Sequence, residues 1–273
     1  MFATVFEQVR RRRPLVHCIT NYVTANDCAN LLLACGASPV MADEEDEVAE
    51  ITAHSAGLEL NLGTLQKRRI PAMLRAGETA SRLGRPIVLD PVGVGASSLR
   101  AQTALRMLDE LRVTVIRGNV SEIRALSLGR GAAEGVDAAL CDRITEENLP
   151  QAADFAKTFA GQTGAVVAMT GAIDVVADAQ RAFCIRNGHP MLASVTGTGC
   201  QLSALAAAFA AANPAAPLES TAAAVCAMGL AGQIAHARLG ALDGSGSYRS
   251  YLIDAMYRLT PEELERGANY EVR

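Results

Sequence analysis

The sequence predicts an α/β fold in which a mainly parallel sheet is covered by helices on both faces, and three observations carry that expectation. Short apolar runs bounded by turn residues alternate with segments of helical periodicity, the pattern of right-handed βαβ crossovers. Several of those runs end on a polar residue or glycine, as strands do when their carboxyl ends line a site. No internal repeat and no Pro/Gly/Ser-rich linker divides the chain, so residues 1–273 are expected to form one domain.

In chain order, a first amphipathic helix runs from Phe2 to Arg13, closed by the cations Arg10 to Arg13 where the helix dipole favours them. A strand Leu15 to Ile19, a helix Thr24 to Cys35 and a strand Ser38 to Met41 follow. The next helix spans Asp43 to His54, and its acidic start, Asp43 to Glu47, complements the dipole on a solvated face. Strands Gly57 to Leu62, Pro86 to Leu89, Val113 to Ile116 and Ala165 to Met169 continue the series, with helices Gln66 to Leu83 and Ala101 to Leu111 between the earlier ones. Asp174 to Ala177 and Arg181 to Ile185 form a hairpin-like pair around Asp178, Ala179 and Gln180, adding antiparallel strands at a sheet edge. The remainder is helical: two long alanine-rich helices between Gln201 and Leu239, then Tyr248 to Leu259 and Pro261 to Arg266. The glycine-rich segment Gly129 to Ala139 is expected to be a mobile surface loop.

Composition narrows the function. With 25 basic against 29 acidic residues and a net charge of -4, the chain carries no electrostatic footprint for nucleic acid or an anionic membrane. Its seven cysteines are odd in number and include no C-x-x-C pair, which argues against a disulfide framework and a zinc site and favours a reducing cytosol. The stretch Gln201 to Leu239 is apolar, but alanine dominates it and Asn213, Pro214, Pro217, Glu219, Gln233 and His236 interrupt it. Two closely packed buried helices are expected there, not membrane spans. Pro14 follows the basic run and no apolar signal region comes after it.

Chemistry is expected beyond the strand carboxyl ends. Met41, Asn61 with Gly63, Asp90, Arg117 to Asn119 and Thr170 with Gly171 stand at five such ends. Asp90 suits a hydrated Mg²⁺ or, equally, a turn or helix cap. Arg117 suits a phosphate and Glu122 the water shell of a metal; a surface arginine and a dipole-favoured helix glutamate are the plainer alternatives. Ser194-Val-Thr-Gly-Thr-Gly-Cys200 runs into a helix, and Gly197 and Gly199 allow a backbone nest that binds an anion. Cys200 then falls in the first helical turn, where the dipole is expected to lower its pKa from about 8.5; a small buried apolar cysteine is the alternative. Asn21 and Asn26 flank a helix start, where capping competes with substrate contact. Neither Lys67 nor Lys157 follows a glycine, which excludes a P-loop, and a third glycine is missing from both G-x-G segments, which leaves a Rossmann site poorly supported.

In this order and spacing, Ile19-Thr-Asn-Tyr-Val-Thr-Ala-Asn26, Ala37-Ser-Pro-Val-Met-Ala-Asp43, Leu60-Asn-Leu-Gly-Thr64, Leu89-Asp-Pro-Val-Gly-Val-Gly-Ala96, Ile116-Arg-Gly-Asn119, Met169-Thr-Gly171 and Thr196-Gly-Thr-Gly-Cys200 resemble the hydroxyethylthiazole kinases. The likeness spans Leu15 to about Leu259. It implies a ribokinase-like three-layer α/β/α sandwich, a cytoplasmic homotrimer with active sites between subunits, and Mg²⁺ with ATP phosphorylating the alcohol of 4-methyl-5-(2-hydroxyethyl)thiazole in thiamine synthesis and salvage. By position, the resemblance assigns Met41 and Gly197 to the thiazole with Asn26 nearby, Arg117 and Thr170 to ATP, Asp90 and Glu122 to the metal, and Cys200 to catalysis, while the anion hole of Gly197, Thr198, Gly199 and Cys200 is the one the glycine turn itself suggests. One departure is Asp243-Gly-Ser-Gly-Ser247, where glycine-proline-glycine is expected. Competing activities are a phosphomethylpyrimidine or sugar kinase, a nucleotide-assisted dehydratase of hydrated nicotinamide cofactors, and a nucleotide-binding regulator without turnover.

Overall fold

Six parallel strands lie side by side in the computed structural model, which describes residues 1–131 and 143–273. They are β1 (Leu15–Ile19), β2 (Ser38–Val40), β3 (Gly57–Asn61), β4 (Ile87–Asp90), β5 (Val115–Asn119) and β6 (Val166–Thr170). The antiparallel strands β7 (Asp174–Ala177), β8 (Ala182–Ile185) and β9 (Tyr270–Val272) extend one edge, so the sheet runs β2-β1-β3-β4-β5-β6-β7-β8-β9. The winding reverses between β1 and β3. In open α/β sheets such a reversal parts the loops beyond the strand carboxyl ends and leaves a crevice there.

Each central strand is buried on both sides, with successive side chains feeding opposite cores. Val88 and Val115 face one core, while Leu89 and Ile116 face the other. The first core is closed by α1 (Phe2–Arg12), α2 (Ala25–Cys35), α8 (Thr198–Ala212), α9 (Pro217–Ala237), α10 (Ser245–Arg258) and α11 (Pro261–Gly267). The second is closed by α3 (Val48–His54), α4 (Arg69–Arg82), α5 (Ser98–Glu110), α6 (Val120–Gly129) and α7 (Leu149–Thr163). The three expected layers are therefore present. Alanine has a structural purpose in α8: its small side chains let the helix lie directly on β1, β3 and β4 beneath the crevice.

Several boundaries differ from the sequence reading for physical reasons. The helix expected from Asp43 begins at Val48, because residues 44–47 form an exposed turn closed by the Glu47 amide on the Glu44 carbonyl. Both α7 and β9 go beyond the expected elements, and β9 is a three-residue strand that exists only by pairing with β8. Asp243 to Ser247 starts a helix without the proline, with Gly244 as N-cap of α10. Helix α9 is long and apolar enough to cross a membrane, yet 78% of its most apolar window is buried inside the protein, as befits a core helix. The expected loop Gly129 to Ala139 lies, beyond Gly131, outside the described residues.

Candidate active site

At the carboxyl end of β4, Asp90 is fully buried, and its two oxygens are treated unequally. Oδ2 accepts from Asn61 Nδ2 at 3.0 Å and from Ser203 Oγ at 2.7 Å, and lies 3.6 Å from Arg117 Nη1. Oδ1 is buried with no hydrogen-bond partner among the described residues. Burial pushes the carboxyl up to about 6, although Arg117 and the Ser203 hydroxyl pull the other way. Asn61 stands opposite Asp90 in the β3–β4 register and accepts the Gly63 amide at 2.8 Å, so its orientation is fixed from both ends.

Arg117 joins the strand ends to the glycine turn. Its Nη2 donates to Thr170 Oγ1 at 2.8 Å, and a Cβ at Gly199 would run into its guanidinium. Gly199 is therefore glycine because a cation lies against the helix backbone. Gly197, the N-cap of α8, has φ +80°, a left-handed conformation that side chains disfavour, and a Cβ there would strike Thr24. Among the described residues, no side chain caps this helix N-terminus. Its first amides and dipole accordingly face the arginine and the crevice, an arrangement that holds anions. A cavity of about 520 Å³ opens beside them, with Arg117, Thr170 and Gly199 at one end and Leu202, Val225 and Met228 along its wall.

Cys200 sits in the first turn of α8 as expected, but its pKa moves the other way from the expected lowering. Burial raises the thiol to about 11, with the Asp90 charge adding to the effect and hydrogen bonding from Asn61 and Thr24 opposing it. The dipole at a helix end is outweighed once the thiol leaves water. Cys200 is a thiol at neutral pH, with Asn21 Nδ2 4.0 Å from its sulfur.

Glu59 joins this cluster although no sequence motif points to it. It lies in the middle of β3, fully buried, accepting from Thr20 Oγ1 at 3.0 Å through one oxygen while the other has no partner among the described residues. Burial, then the nearby Asp90, raise it to about 8. The signal available in the sequence was a lone charge inside an apolar strand run. The folded protein keeps this proton up to about pH 8 while an exposed glutamate loses it near 4.5, so stability falls as pH rises through that window. Glu59→Gln, neutral throughout, is expected to gain Tm over the parent between pH about 5 and about 8, measured by calorimetry. A Tm difference that does not vary with pH would contradict this assignment.

The remaining expected residues divide into two groups. Glu122 is near the site but engaged: Oε1 accepts the Gly93 amide and Oε2 the Asn119 amide, each at 2.9 Å, completing a capping box on α6. Thr198 donates to the Leu192 carbonyl at 3.2 Å. Met41 follows β2 and is 38% exposed. Asn26, in the first turn of α2, is exposed and accepts from Asn30 on its own helix. Neither Met41 nor Asn26 joins the buried cluster around Asp90. Asn21 caps no helix and instead accepts the Val23 amide at 3.0 Å.

A model of the hydroxyethylthiazole kinase family matches residues 6–262. Hydroxyethylthiazole kinase of Clostridium acetobutylicum is 54% identical over 265 residues, covering 97% of each chain. The solved structure of hydroxyethylthiazole kinase from Pyrococcus horikoshii superposes with a TM-score of 0.88 at 37% identity, covering 100% of this chain and 98% of that one. A ribokinase-like superfamily protein of Enterococcus faecalis shares the fold at a TM-score of 0.62 and 14% identity, over 96% of this chain and 90% of that one.

Proposed function

The chain belongs to the hydroxyethylthiazole kinase family, and from that premise we propose that it transfers the γ-phosphoryl group of ATP to the hydroxyl of 4-methyl-5-(2-hydroxyethyl)thiazole in thiamine biosynthesis and salvage. The observation that carries this reading is the meeting of a helix N-terminus, without a side-chain cap among the described residues, and Arg117 at the wall of a cavity of about 520 Å³, with Asp90 buried behind Arg117. That size suits a nucleotide-sized ligand.

Arg117 and Thr170 bind phosphate oxygens of ATP, and the amides of Thr198, Gly199 and Cys200, opened by Gly197, hold the transferring group. Mg²⁺ takes one or two carboxylates together with phosphate oxygens and waters. Asp90 fits that requirement through Oδ1, the buried oxygen without a partner, whereas Glu122, with an amide on each oxygen, fits the outer shell. When bound, the ion offsets the charge of the β- and γ-phosphates. The alcohol approaches from the side of Cys200, Asn21 and Gly197. Phosphoryl transfer is largely dissociative, so early removal of the alcohol proton contributes little and a neutral Cys200 acts by positioning.

Met41 and Asn26 are the proposed thiazole contacts at the exposed rim. Their exposure leaves room for an adjacent subunit to complete the pocket, in the homotrimer that the family resemblance implies. One kinase domain over residues 1–273 and a cytoplasmic location complete the reading. The location is supported by six described cysteines that are all free and buried.

A coupled ADP-release assay with Mg-ATP, with and without the thiazole alcohol, tests the function. Thiazole-dependent ADP release is expected, with a product heavier by one phosphoryl group. Background release alone, beside an active control kinase, would refute it.

A further inference from the structure

Ser203 stands one helical turn beyond Gly199 in α8, fully buried among alanines. Alanine would serve helix formation and packing better at such a position. Its hydroxyl has a single proton and two acceptors in reach, the Gly199 carbonyl at 3.3 Å and Asp90 Oδ2 at 2.7 Å. The shorter, charged acceptor takes it. Ser203 therefore ties the phosphate-facing helix to the tip of β4.

We propose that Ser203 is a positioning residue for phosphoryl transfer, fixing the rotation of the Asp90 carboxyl so that Oδ1 is the oxygen offered to the reacting groups. This rests on the kinase reading above. Three donors converge on Oδ2, namely Ser203, Asn61 and Arg117, while none reaches Oδ1 among the described residues. Ser203 makes the shortest of the three contacts and approaches from the helix layer, whereas Asn61 and Arg117 approach from the neighbouring strands β3 and β5. Without it, both remaining donors lie along the strand ends, and the carboxyl is free to turn and present either oxygen to them.

The test is Ser203→Ala in the full-length protein, read by steady-state kinetics and calorimetry. A fall in kcat of about tenfold or more is expected, with KM for the thiazole alcohol within about threefold and Tm within about 3 °C of the parent. A kcat within about threefold of the parent overturns the proposal, as does a kcat loss accompanied by a larger fall in Tm or a rise in KM, which mark a structural or binding role. Should Ser203→Ala not fold, Ser203→Cys, of similar size but a weak donor, is read by the same criteria. A parent without thiazole-dependent turnover would instead refute the kinase reading, a result distinct from either outcome for the variant.

Discussion

Gly197→Ala is expected to lower kcat/KM at least about 10²-fold, whereas Cys200→Ala lowers it about tenfold or less. Two independent penalties act at Gly197. Its φ of +80° is one that alanine adopts only with strain, and the added methyl would collide with the Thr24 side chain. Relief requires the turn to move, and the turn carries the amides of residues 198–200. Transition-state donors tolerate little displacement, since their contribution depends on being aimed before the charge develops. Cys200, by contrast, holds its proton at neutral pH and supplies position rather than base strength. Steady-state kinetics of both variants check the contrast, and equal collapse of the two would contradict it.

Arg117→Ala is expected to cost more, about 10³-fold in kcat/KM for ATP, because three functions end together. The phosphate loses its nearest guanidinium, Thr170 loses a donor at 2.8 Å, and Asp90 loses the cation that opposes its burial. The carboxyl, already raised to about 6, would rise further and be largely protonated at neutral pH. Arg117→Lys is expected to recover little of the loss, because an ammonium cannot serve Thr170, Asp90 and a phosphate from one planar fork. Calorimetric titration with a non-hydrolysable ATP analogue, alongside kinetics, checks both variants. ATP affinity unchanged in Arg117→Ala would contradict the assignment.

The parts of this site that could be read in the sequence are those whose position in the fold follows from local pattern. Asp90, Arg117 and Thr170 each close an apolar run, so a parallel sheet brings them to one edge whatever the details of packing. The glycines at 197 and 199 announce a backbone turn before a helix, and the structure adds the reason for each, namely Thr24 and Arg117. Ser203 could not be found this way, since a serine among alanines in a buried helix looks like core filling until the carboxylate facing it is known. The raised pKa of Cys200 departs from the sequence expectation for a related reason. The helix dipole is a local property legible from sequence, whereas desolvation depends on what the whole chain packs around the sulfur.

The lodging of α8 between the sheet and α1, α2 and α9 has a thermal consequence. The turn that faces the phosphate is the first turn of a helix buried along almost its whole length, not the tip of a loop. Fraying of loops at modest temperature leaves such a turn intact, because moving it requires opening the main core. Heat inactivation of the donor site and global melting are therefore expected to share one transition. Backbone amides in the body of α8 are expected to exchange with solvent deuterium only as fast as the whole protein unfolds.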